Sequence, residues 1–242
     1  MKILTKAISM FCLTLLIINT SFATTMTWRE RKEARNFDVA KFKPVPTAND
    51  FFVANWEQDT ARLMELMSYI RQNENYTGKY DCDCPSYGYL GRFRGGELSP
   101  NRKTLILQIL QIHDANVQIC ILDIADREPA YSHPNGNIFL DRKAIIKLTD
   151  SEFVALLSHE MGHRYGNRVI SQDREEEIFC DYVAAWTLQL MGQDPKASMS
   201  MLEKLGNKKG GGGHPPHSVR QTHLAQIIQG WDKQFPLTKI SN

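Results

Sequence analysis

His159-Glu160-Met161-Gly162-His163 constrains this chain more than any other stretch. On a helix, positions i and i+4 share a face, so His159 and His163 can aim two imidazoles at one point. Zinc takes neutral imidazole nitrogens at about 2.0–2.1 Å, and such a pair fills two corners of its tetrahedron. Glu160 sits beside the first histidine, where a carboxylate reaches a water at the metal without ligating the metal itself. That is the position of a general base in metal-assisted hydrolysis. A polar, solvated helix face can carry the same five residues, so the flanking pattern has to decide.

Thr149-Asp150-Ser151-Glu152 reads as a capping box, and Phe153, Val154, Leu156 and Leu157 continue it as an apolar stripe. The two histidines therefore fall in the later turns of a buried helix ending near Tyr165-Gly166-Asn167. A second helix opens at Asp173, with Glu176 as its capping partner. It runs through Ile178, Phe179, Tyr182, Val183 and Trp186 to a stop at Gly192, with Pro195 beyond. A catalytic zinc site keeps three protein ligands, and the second helix offers Glu175, Glu176 and Glu177 for the third. Acidic residues in a first turn also suit the helix dipole without any metal. Asp181 separates the three: Glu177 and Asp181 are four apart, so one carboxylate can ligate while the other orients a ligating histidine. Glu177 is the expected ligand, with Glu176 pointing about a quarter-turn away.

At these residues the chain resembles the gluzincin metallopeptidases, which pair H-E-x-x-H on one helix with Glu and, four residues on, Asp on the next. The closer resemblance is to the branch holding the heat-shock protease HtpX, the CAAX prenyl proteases and periplasmic quality-control proteases. It extends to Pro129-Ala130-Tyr131-Ser132-His133-Pro134-Asn135-Gly136-Asn137-Ile138-Phe139-Leu140, to Gly192-Gln193-Asp194-Pro195, to Leu202-Glu203-Lys204-Leu205, and to His214-Pro215-Pro216-His217-Ser218-Val219-Arg220. Pro129 replaces the usual Asn of the hairpin, Cys180 fills the small-residue slot before Asp181, and the spacer from His163 to Glu177 is short for the branch. The resemblance implies an α+β fold: a mostly helical zincin-like domain with a small antiparallel edge sheet or hairpin beside the active-site helix. It implies one zinc per chain, with Asp181 behind the ligands His159, His163 and Glu177. It also implies that His214 or Arg220 stabilises an oxyanion, so both join Glu160 as expected catalytic residues. A peptide or unfolded protein would pair as an added strand along Gly136, Asn137, Ile138 and Phe139.

The rest of the chain bounds these expectations. Lys2 and Lys6 precede an apolar run from Ile8 to Ile18, and Ser21-Phe22-Ala23 offers a small-x-small cleavage site. Residues 1–23 are read as a signal peptide, which puts the mature protein in the periplasm or outside a bacterial cell. The run is short of the roughly 20 apolar residues of a membrane span, and no later segment approaches that length. Residues 24–98 form a lead-in, a helix and a Cys/Gly/Tyr-rich loop, and residues 99–242 the metallopeptidase core. A net charge of +2, with both signs interspersed, gives no footprint for nucleic acid. Cys82, Cys84, Cys120 and Cys180 remain after export, and disulfides from Cys82 or Cys84 to Cys120 and Cys180 are expected.

Helical spacing recurs from Asp50 to Arg71 and again from Ser99-Pro100 to Ile112. Asn116 to Asp123 reads as a strand, and a final helix carries Val219, Leu224, Ile227 and Ile228. Together these features lead to an exported zinc endopeptidase, with envelope protein quality control as its setting. The alternative is a zinc-binding, chaperone-like or regulatory protein of the same fold, with little turnover or with its site occluded by the glycine tether that delivers His214.

Overall fold

The computed structural model describes residues 42–73, 92–93, 96–115, 117, 119–122, 129–132, 137–205 and 214–234. The signal-peptide reading, the loop carrying Cys82 and Cys84, and the glycine tether lie outside the described residues. The described elements run α1 (Ala48–Phe51), α2 (Trp56–Asn73), β1 (Arg92–Phe93), β2 (Gly96–Glu97), α3 (Pro100–Ile112) and β3 (Ile119–Leu122). They continue β4 (Ala130–Ser132), β5 (Ile138–Asp141), α4 (Arg142–Ile145), α5 (Asp150–Val169), α6 (Asp173–Leu190), α7 (Ala197–Leu205) and α8 (His217–Gln234). This is the mostly helical α+β architecture expected.

Helix α5 starts where its capping box stands: Thr149 Oγ1 accepts from Glu152 N–H, and the Glu152 carboxylate accepts from Thr149 N–H at 2.7 Å. Arg102, on α3, donates to the carbonyls of Ile145 and Leu148 just before that start, at 2.7 and 2.6 Å. A short connection through Ile170 and Gln172 turns the chain into α6, which packs antiparallel to α5. Gly162 faces Cys180 there, and Gly166 faces Glu176 and Phe179. A Cβ at Gly162 would stand 2.8 Å from the Cys180 Cα, so glycine is what lets the two backbones approach this closely. On the far side of the pair, His113 lies between the helices, its Nε2 2.9 Å from Thr187 Oγ1 and its Nδ1 3.2 Å from the Tyr165 hydroxyl. Burial, helped by Arg164, lowers its pKa to about 3, so this histidine is a neutral core group.

The chain's first described residues belong to the same core. Val45 bridges in parallel to Ile170 at the α5–α6 turn, and Phe51 and Phe52 pack on Phe179 with ring centroids 5.2 and 5.3 Å away. Asp59, on α2, is buried and accepts from the amides of Val53 and Asn55 and from Trp231 Nε1 on α8, at 2.8, 3.1 and 2.8 Å. Trp56 N–H donates to Gln234 Oε1 beside it. No helix among the described residues is long and apolar enough to cross a membrane.

The sheet departs from the expected hairpin. Strand order is β3-β5-β4, with β5 parallel to β3 and antiparallel to β4. The antiparallel pair is present, but β5 is the centre of three strands and its four residues are buried. Its backbone edges are already paired on both sides. Ile138 and Phe139, with Asn137 before them, are therefore core residues and cannot accept an added strand, and Gly136 lies outside the described residues. The outer edge beside α5 belongs to β4.

Candidate metal centre

Helix α5 delivers His159, Glu160 and His163, and α6 delivers Glu176, Glu177 and Asp181 across the glycine-lined contact. The imidazoles of His159 and His163 stand edge to face, with centroids 5.2 Å apart. Each Nδ1 is held by a carboxylate from α6: His159 by Asp181 Oδ1 at 3.0 Å, His163 by Glu176 Oε1 at 2.7 Å. That leaves each Nε2 turned toward one carboxylate. Glu177 Oε2 is 3.4 Å from Nε2 of His159, and Glu177 Oε1 is 3.6 Å from Nε2 of His163. Glu160 is buried next to His159.

From α8, Arg220 reaches beneath this group. Its Nε donates to Asp181 Oδ2 at 2.7 Å and its Nη2 to Asp181 Oδ1 at 2.6 Å, while Nη1 lies 3.3 Å from Glu177 Oε2. All three guanidinium nitrogens face carboxylates of α6, and the residue is buried. The expected oxyanion role for Arg220 does not fit this geometry: the guanidinium is buried and committed to Asp181 and Glu177. His214 is different. A third of its side chain is exposed, and its Nδ1 lies 3.0 Å from Glu177 Oε2, at the open side of the centre.

The carboxylates outweigh burial at both histidines. Burial works against a charged His159, yet its bonds to Asp181 and Glu177 override it and raise its pKa to about 10. Burial likewise opposes a charged His163, and Glu176 with Glu160 raises it. Burial would raise Glu177, but His159 and His214 hold it well below the usual carboxylate range. Burial is also outweighed at Asp181, which Arg220 lowers.

A nitrogen from each histidine and the Cys180 sulfur also fall within 4.8 Å of one another. Burial, followed by the surrounding carboxylates, pushes the Cys180 thiol well above its ordinary pKa, and zinc is bound by a thiolate. Glu177 is ionised and faces both free Nε2 atoms, so it is the third donor that fits. Cys180 is a free, buried thiol, which removes it from the expected disulfides, whereas Cys120 is disulfide-bonded. The Cys180 thiol fills the groove between α5 and α6 that Gly162 opens.

Two features were not foreseen. Asp173 and Glu176 were expected to cap α6, but Gln172 is the N-cap and makes no side-chain cap bond. The Glu176 side chain goes to His163 instead. A histidine whose Nδ1 needs a partner, 13 residues before Glu176 in a run of glutamates, is the signal the sequence offers. The second feature is the edge position of β4, which depends on long-range pairing of β3 with β5.

A family profile described as peptidase family M48 matches residues 102–173, from α3 through the whole of α5. The matched segment contains His159, Glu160 and His163, and α6 follows it directly. No curated protein and no solved structure matches the chain. The match agrees with the resemblance carried by the zinc-helix motif and the Glu-Asp pair: over residues 102–173 the chain is similar to the M48 metallopeptidases.

Proposed function

We propose that the protein is an exported zinc-dependent endopeptidase acting on unfolded or extended polypeptide in the bacterial envelope. One observation carries this reading: both imidazoles turn Nε2 toward Glu177 while carboxylates hold both Nδ1 atoms. His159, His163 and Glu177 would hold one zinc, which when bound supplies Lewis acidity toward a peptide carbonyl and a water. Glu160, adjacent to the first ligand, accepts the proton of the attacking water and returns it to the leaving amine. Asp181 and Glu176 keep the histidines in the tautomer that frees Nε2, and Arg220 offsets the charge of Asp181. His214, beside Glu177 and partly exposed, is the residue assigned to a developing oxyanion. Substrate would add as a strand to the outer edge of β4, Ala130–Ser132, rather than along β5.

A casein or fluorogenic peptide assay, run with metal analysis on wild type and Glu160→Gln, tests this. Zinc in both and hydrolysis by the wild type alone supports it, and a zinc-loaded wild type that cleaves nothing rejects it. The contact of His214 with Glu177 favours a second reading, in which His214 occludes the centre. His214→Ala decides between them, since turnover falls if His214 assists catalysis and rises if it blocks the site.

A further inference from the structure

Glu176 precedes the third donor by one residue, and helix geometry alone would send its side chain about 100° from that of Glu177. It nevertheless reaches His163 Nδ1 at 2.7 Å. The reason lies on the facing helix: a Cβ at Gly166 would stand 2.8 Å from Glu176 Cγ, in the space through which the carboxylate passes. Asp181 and Glu176 do the same work on the two histidines but are not equivalent. Asp181 is completely buried and its charge is answered by the Arg220 fork. Glu176 is only partly buried and, among the described residues, forms no ion pair with an arginine or lysine.

We propose that Glu176 is a positioning residue of the metal centre, acting through His163 Nδ1, and that glycine at 166 is the notch that admits it. This rests on the zinc reading above. A carboxylate on Nδ1 fixes the proton there, leaves the Nε2 lone pair for the metal, orients the ring and raises the basicity of the ligand. His163 is the more exposed of the two, so it has less packing to hold its ring, and the hydrogen bond has more to do there.

Zinc affinity measured by competition with a calibrated chelator tests this on the full chain. Glu176→Ala should weaken zinc about 10–100-fold, as loss of such partners does elsewhere. Glu176→Gln keeps an acceptor oxygen but no charge, and should fall between Glu176→Ala and the wild type, an order that a merely structural role would not require. Gly166→Ala should weaken zinc comparably, because its Cβ displaces the carboxylate. The double variant Gly166→Ala/Glu176→Ala should then be no weaker than Glu176→Ala alone. Wild type and Glu176→Ala with equal zinc dissociation constants overturn the role of Glu176 while leaving the zinc reading intact. A double variant much weaker than Glu176→Ala overturns the notch. A wild type that takes up no zinc overturns both this inference and the proposed function.

Discussion

Asp181 receives two nearly parallel hydrogen bonds from Arg220, at 2.7 and 2.6 Å, and passes one of the same oxygens to His159 Nδ1 at 3.0 Å. Three helices meet in that chain of contacts, α8 through Arg220, α6 through Asp181 and α5 through His159. Removing the guanidinium strands an ionised carboxylate in the core. Arg220→Ala should therefore cost about 3–5 kcal/mol of unfolding free energy, the range for breaking a buried pair from one side. Arg220→Lys keeps the charge but loses the fork, and should fall between. Urea unfolding of the metal-free proteins measures both.

Asp181→Asn retains size and hydrogen-bonding capacity but can present an amide N–H to His159 Nδ1. That would move the imidazole proton to Nε2, the atom needed for the metal. Zinc affinity should drop about 10–100-fold with the fold preserved. Chelator competition beside far-ultraviolet circular dichroism checks it, and an unchanged dissociation constant would remove Asp181 from the centre.

Glu160→Gln should bind zinc as the wild type does and lose peptide hydrolysis by about 10²–10⁴-fold, the usual contribution of a positioned base. The loss should appear in kcat rather than in KM. Steady-state kinetics on a fluorogenic peptide gives the two separately.

Glu152, at the start of α5, supplies a pH dependence away from the metal. Burial opposes its ionisation, but Lys204 and Ser200, with the Thr149 cap, hold its pKa down to about 2 against an ordinary 4.5. A depressed carboxylate stabilises the fold above its unfolded pKa and loses that contribution as pH falls through the folded one. Wild type should thus be more stable than Glu152→Gln above about pH 4.5, and the gap should narrow steadily toward pH 2. Chemical denaturation of both at a series of pH values shows the narrowing or its absence.

The parts of the centre legible in the sequence are those set by helical period. His159 and His163 share a face, as do Glu177 and Asp181, and the geometry brings these two pairs together because i and i+4 repeat on any α-helix. Glu176 escaped the same rule. The helical period sets it about 100° from Glu177, but a glutamate side chain is long, and the absence of a Cβ on the opposite helix leaves room for it. Local periodicity also gave the β4–β5 hairpin, since neighbouring strands join through one turn. The parallel pairing of β3 with β5 joins segments separated by another strand, and no short-range pattern encodes which edge stays open. Cys180 was read by counting cysteines, whereas its state depends on the groove opposite Gly162.

The clasp of Asp59 by Trp231 spans 172 residues. At a synthesis rate of about 5–20 residues per second, roughly 10–30 s separate the emergence of the carboxylate from that of its indole partner. Through that interval α2 has no α8 to close upon, and the Asp181 on α6 also waits for Arg220. The last of the described helices, α8, thus completes both the packing of α2 and the support beneath the histidines. A nascent chain stopped before α8 holds every expected zinc ligand but not Arg220, so the charge of Asp181 is answered only once α8 has been made.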